Sequence, residues 1–275
     1  MVILVCVYAC YVGKVRYINI IKRRRLKSAD GNEVFTMKEK IYTIPVNEGF
    51  EAGGECPFCN MYQKLEKDAV DYMLGPSYME DDIRMETNRL GFCKKHYPHL
   101  YKQQNRLGVG LMTHTHLQTI NRELEKLCKD YKPDKKPLFK KVEGNPISDY
   151  INNITNSCYV CNKISTTLER YIDTFFYMWK NMPEIRNSVK NCKGFCIEHF
   201  SLIVAEGQNR LSANDYKEFL DIVLPLELEN LKRLEAEVEW FTDKFDYRNR
   251  DKDWGTSKDA LPRAITKLAS EFVEE

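Results

Sequence analysis

Between Cys59 and Leu74 the apolar side chains Tyr62, Leu65, Ala69, Tyr72 and Met73 fall close to one helical stripe. Gly75-Pro76 stops this helix, Ser77 is a fitting N-cap for the next, and Gly91 ends that one near Leu90. Another helix begins near Cys93, and a further one runs from about Gly110 to Cys128. Helical patterning resumes around Ile151 and continues past Cys161 to Met182. The last large element covers 214–245, with Leu228, Leu231, Leu234, Val238, Phe241 and Phe245 on a face expected to be buried. Pro225 either kinks that helix or opens a second one. Thr256 and Asp259 form a capping-box-like pair ahead of a final helix. Only KEKIYTIPV (38–46) alternates as a short strand would, with turn residues Gly49, Gly53 and Gly54 after it. The expected fold class is all-α.

Superposed on this pattern is an internal repeat at about 102 residues. Cys56, Cys59, Asn60, Asp71, Ile83 and Arg84 recur as Cys158, Cys161, Asn162, Asp173, Ile185 and Arg186. One inserted residue later, Gly91-Phe92-Cys93, His96 and Tyr97 match Gly194-Phe195-Cys196, His199 and Phe200. Residues 104–107 and 208–211 both read QNRL. The chain divides accordingly into a first helical repeat, 37–128, and a second, 148–275, with its C-terminal helices. Residues 129–147, with three prolines, one glycine and six lysines, form the linker.

Each repeat holds C-x2-C and, 33 or 34 residues later, C-x2-H. Two residues between ligands let both side chains turn onto one ion at a tight turn or helix start. Thiolates there gain from the helix dipole, which favours the deprotonated form that binds metal. The expected metal ligands are Cys56, Cys59, Cys93 and His96 for one centre and Cys158, Cys161, Cys196 and His199 for the other. A helical hairpin in each repeat would fold its second pair back onto its first. Four ligands of this softness, with none left open, describe a structural Cys₃His zinc site, so two Zn²⁺ are expected; iron or an iron–sulfur cluster is the alternative occupant. His99 has Leu202 as its repeat counterpart, which favours His96 as the ligand. His114 and His116 read as ordinary polar residues. The duplicated Arg84, Arg186, Asp71 and Asp173 read as in-repeat ion pairs or as a repeated charged surface.

Composition narrows the functional classes. The 42 basic and 40 acidic side chains leave a formal charge of +2, and the basic run KRRRLK (22–27) is the only one, so nucleic acid is not an expected partner. Residues 1–13 are an uncharged run too short to span a membrane, with positive charge on the wrong side for a secretory signal. The expectation is that native translation starts at Met37, with 1–36 an extension, since Glu33-Val34 can be encoded by a sequence resembling a ribosome-binding site. Ten cysteines, eight of them in short pairs or near-pairs on a chain of 275 residues, point to metal in a reducing cytoplasm rather than to a disulfide scaffold. There is no HExxH, GxSxG, Walker loop, Glu-x-x-His or CxxCH.

CPFC, ETNRLGFCKKHY, GFCIEHF and FDYRN…WGTSKDALPRAI resemble an uncharacterised family of anaerobic, clostridial-type bacteria with duplicated CPxC…GFCxxH modules. The resemblance runs from about Met37 to the C-terminus and implies the eight ligands and a cytoplasmic location, but no reaction. The expected function is a binding or scaffold module for a protein or a small anionic ligand, more a non-enzyme than an enzyme. The competing classes are a thiol–disulfide oxidoreductase using the CxxC pairs and a metal- or redox-sensing regulator. A sharper version has the loop 246–259, with Trp254, closing over a pocket where Arg84 and Arg186 meet an anion.

Overall fold

A computed structural model describes residues 42–132 and 144–273. Eleven α-helices and no strands occur among them. In chain order they are α1 (Thr43–Glu51), α2 (Pro57–Leu74), α3 (Asp81–Leu90), α4 (His96–Lys102), α5 (Arg106–Asp130), α6 (Pro146–Thr155), α7 (Tyr159–Asn181), α8 (Pro183–Asn191), α9 (Ile197–Arg210), α10 (Ala213–Asp243) and α11 (Ala260–Ala269). Two 3₁₀ turns, Pro76–Met79 and Tyr247–Asn249, complete the list. The all-α expectation is met.

Several local expectations are corrected. The alternation ending at Val46 is helical where it is described: Thr43–Glu51 forms α1, because Pro45 sits in the first turn, where a missing N–H costs nothing. Ser77 does not cap a helix through Leu90; it lies buried in a 3₁₀ turn, and α3 begins after Glu80. The long pattern from Ile151 to Met182 is two helices, separated at residues 156–158. Pro225 neither divides nor ends α10, which runs unbroken through it. Of the expected stripe only Leu234 is buried, while Leu228 is exposed and Phe245, beyond the end of α10, is exposed too. Thr256 spends its hydroxyl on Glu237 and Asp259 pairs with Arg263, so the last helix starts without the capping box. Within the linker, α5 extends to Asp130 and α6 starts at Pro146, capped by Asn145. Positions 133–143, like 1–41, lie outside the described residues.

The molecule has two compact units that do not coincide with the sequence repeats at 37–128 and 148–275. One is continuous, 65–166; the other is discontinuous, with described residues 42–64 and 167–273. The boundaries fall within α2 and α7. In the continuous unit α3 and α6 pack on α5, around buried Ile83, Thr87 and Met112. In the discontinuous unit α8 packs on α1 and α10, and α9 and α11 pack on α10. Its core is aromatic. Phe58 meets Phe175 at 5.5 Å and Phe195 at 6.0 Å, and Trp179 stands edge-on to Phe219 at 5.0 Å. Full burial of each such ring contributes on the order of 2–3 kcal/mol.

The loop after α10 is fixed rather than lid-like. Lys244 is buried and donates to the carbonyls of Asn249, Arg250 and Lys252. Trp240 donates to Asp253 O at 3.0 Å, and Trp254 packs on Phe241 at 5.8 Å.

Candidate metal centres

All eight predicted ligands converge into two four-residue clusters, but not in the predicted pairing. Cys56 and Cys59 join Cys196 and His199, and Cys158 and Cys161 join Cys93 and His96. Within each cluster the ligand atoms lie within 4.8 Å of one another. Each CxxC pair is thus completed by the CxxH of the other repeat, and each cluster lies wholly inside one compact unit. Helix lengths supply the reason. The 18-residue α2 runs about 27 Å outward, while the 10-residue α3 returns only about 15 Å. In the second repeat α7 has 23 residues and α8 only 9. Neither hairpin brings its CxxH back to its own CxxC.

The local placement is as the spacing requires. Cys56 and Cys59 flank the start of α2, and Cys158 and Cys161 flank the start of α7. Cys196 is the N-cap of α9, its sulfur accepting from His199 N. Thiolates at these positions satisfy otherwise orphaned N–H groups and face the positive end of the helix.

The distances fit one ion per cluster. In the continuous unit, His96 Nδ1 stands 3.2, 3.3 and 3.4 Å from the sulfurs of Cys93, Cys158 and Cys161, and the Cys93 and Cys161 sulfurs are 3.8 Å apart. In the other unit, His199 Nδ1 stands 3.0, 3.4 and 3.6 Å from Cys196, Cys59 and Cys56. A tetrahedral ion with M–S near 2.3 Å and M–N near 2.05 Å needs edges of about 3.6 Å (S···N) and about 3.8 Å (S···S). Both donor sets fit it.

Without a cation these groups must share protons. Burial pushes His96 down, but the Cys158 and Cys93 sulfurs and the Glu66 carboxylate outweigh it and hold its pKa at about 11. His199 is likewise lowered by burial, yet Cys196 and Cys56 hold it at about 10. Hydrogen bonds from Cys158 and Cys161 depress the Cys93 thiol, and bonds from Cys56 and Cys59 depress Cys196. Cys59 and Cys161, on the donating side of such bonds, are raised. Three sulfurs and an imidazole in so small a buried volume are the electrostatic complement of a dication.

The surroundings of the two clusters differ. His96 Nε2 lies 2.9 Å from Glu66 Oε1, the carboxylate–histidine contact that orients a metal-bound imidazole. Glu66 also meets Lys95 at 3.2 Å. The repeat offset puts Leu168 at the position corresponding to Glu66, and it is fully buried. The discontinuous-unit ligands are all buried, whereas Cys93 and Cys161 are partly exposed. Glu66 escaped the sequence reading because, unlike the eight ligands, it is not duplicated.

Other predicted residues find different roles. His99 belongs to neither cluster. His114 is exposed, but His116 is buried and its Nδ1 lies 2.7 Å from Asn88 O. The duplicated arginines do not pair with the duplicated aspartates. Arg84 donates to Thr115 and Arg186 pairs with Glu218, while Asp71 meets Lys67 and Asp173 meets Arg210. No described helix is long and apolar enough to cross a membrane.

No curated protein and no solved structure matches the chain. A match over residues 37–275 nevertheless covers both clusters in full, and the chain belongs to the family it represents, DUF6062, a family of unknown function.

Proposed function

We propose that the chain is a zinc-stabilised helical binding or scaffold protein of the cytoplasm, carrying one closed Cys₃His zinc ion in each compact unit. The observation that carries the reading is the pair of donor sets at tetrahedral spacing. Mixed thiolate and imidazole ligation suits zinc, and four protein ligands leave no open position for substrate. The ions contribute folding free energy directly, by tying the starts of α2 and α7 to the CxxH segments.

A protein is the partner this reading favours over a small anion, because Arg84 and Arg186 already have partners of their own. The oxidoreductase alternative draws less support, since both CxxC pairs face a histidine and a third cysteine. The test is elemental analysis of anaerobically purified protein with a thiol count. Two zinc per chain, with all six ligand thiols reduced, bear the reading out. Stoichiometric iron, or less than one metal with oxidised CxxC pairs, overturns it.

A further inference from the structure

In each cluster hydrogen bonds hold the backbone just before the CxxC and CxxH pairs. The continuous unit does this locally. Ser157, the residue before Cys158, donates its hydroxyl to Leu90 O at 2.6 Å, and Tyr159 N donates to Gly91 O at 2.9 Å. The discontinuous unit has neither donor. The repeat offset puts Glu55 at the place of Ser157, and Pro57, which has no N–H, at the place of Tyr159.

In their place stands Lys267, from α11, fully buried. Its Nζ donates to Lys193 O at 2.8 Å and to Glu55 O at 3.4 Å. Lys193 is the repeat counterpart of Leu90, and Glu55 directly precedes Cys56. The charge is balanced by Glu227, also buried, whose Oε1 lies 3.3 Å from Nζ. The other carboxylate oxygen, Oε2, accepts from Phe195 N at 2.7 Å, one residue before Cys196. From the end of the same helix Ser270 brings its hydroxyl to 3.1 Å from the Cys196 sulfur. One ammonium–carboxylate pair therefore grips the approach to both halves of the metal site.

We propose that Lys267, with Glu227, is the positioning residue of the Cys56/Cys59/Cys196/His199 centre, so that α11 governs how firmly that centre keeps its ion and leaves the other centre untouched. A buried lysine is costly unless paired, and here the ammonium donates to the two ligand-bearing turns and is neutralised by the Glu227 carboxylate. The inference rests on the zinc reading above. Loss of a positioning contact of this kind typically lowers metal affinity by about 10–100-fold.

The experiment follows zinc release from the full chain to a chromophoric chelator, with helix content checked by circular dichroism. Wild type releasing two equivalents meets the zinc reading; wild type releasing none sinks that reading, whatever Lys267 does. Lys267→Met should release one equivalent about tenfold or more faster and leave the second at its wild-type rate. The double variant Lys267→Met/Glu227→Gln leaves no buried charge unpaired, and it should show the same selective release if the single variant fails to fold. Ser157→Ala should accelerate the other equivalent instead. Unchanged release from the folded lysine variants, or equal acceleration of both equivalents, overturns the proposal.

Discussion

His199 Nδ1 stands 3.4 Å from the sulfur of Cys59, a residue 140 positions earlier in the chain. The cross-repeat pairing can be read out by counting ions in double variants. Cys59→Ala/Cys196→Ala removes two ligands from one centre and should leave about one zinc per chain. Cys59→Ala/Cys93→Ala strikes both centres and should leave less than one. Pairing within repeats would give similar losses for Cys59→Ala/Cys93→Ala and Cys158→Ala/Cys196→Ala, each sparing one full centre. His99→Ala should retain both ions.

Glu66 gives the continuous-unit centre a contact that Leu168 cannot supply to the other. Glu66→Leu should weaken zinc at that centre by about 10–100-fold, measured by chelator competition, with the second ion unaffected. Glu66→Gln keeps an oxygen for Nε2–H and should fall between wild type and leucine. Equal affinities in all three proteins would remove Glu66 from the centre's chemistry.

Gly194 has φ +76°, and a Cβ there would meet Glu227 Oε2 at 2.5 Å and Lys267 Nζ at 3.1 Å. Strain and collision add, so Gly194→Ala should cost about 2–5 kcal/mol in denaturant unfolding. Gly53 has a similar φ of +71° but nothing within 4 Å, and Gly53→Ala should cost only about 1–2 kcal/mol. Comparable losses at the two positions would mean that the Lys267–Glu227 pair yields freely.

Acid should weaken the discontinuous unit through Glu237. Burial pushes its carboxyl up, but Arg263 and Arg233 outweigh that and hold it below the ordinary 4.5. A carboxylate depressed on folding contributes stability above its unfolded pKa and loses it as pH falls through the folded value. Wild type should therefore lose stability below about pH 4.5 more steeply than Glu237→Gln. Parallel curves for the two proteins would show that the arginines do not rely on this carboxylate.

The ligands were legible in the sequence because duplication repeats them, and repetition separates Cys93 and His96 from Cys128 or His99. Their pairing was not legible. Either arrangement satisfies the same C-x2-C and C-x2-H spacings, and the unequal helix lengths of the two hairpins, α2 against α3 and α7 against α8, decide it. Helix periodicity located most elements, yet it overestimated burial along the last long stripe, where Leu228 on α10 and Phe245 just beyond it are exposed. Periodicity shows which residues share a face, not whether another element covers it. Lys267 and Glu227 were invisible for a further reason: a lysine and a glutamate on helices read as solvated, and their burial is decided by α11 packing on α10.

The crossed pairing also sets an order of events during synthesis. Cys158 and Cys161 emerge to find Cys93 and His96 already made, so all four residues of that cluster are present once 65–166 has left the ribosome. Cys56 and Cys59 must wait for His199, 143 and 140 residues downstream. At about 5–20 residues per second that delay is roughly 7–29 s. For that interval the Cys56 and Cys59 thiols form an unfinished half-site, open to the wrong metal or to oxidation. The helix α11 is made later still, and its Lys267 donates to the backbone just ahead of Cys56.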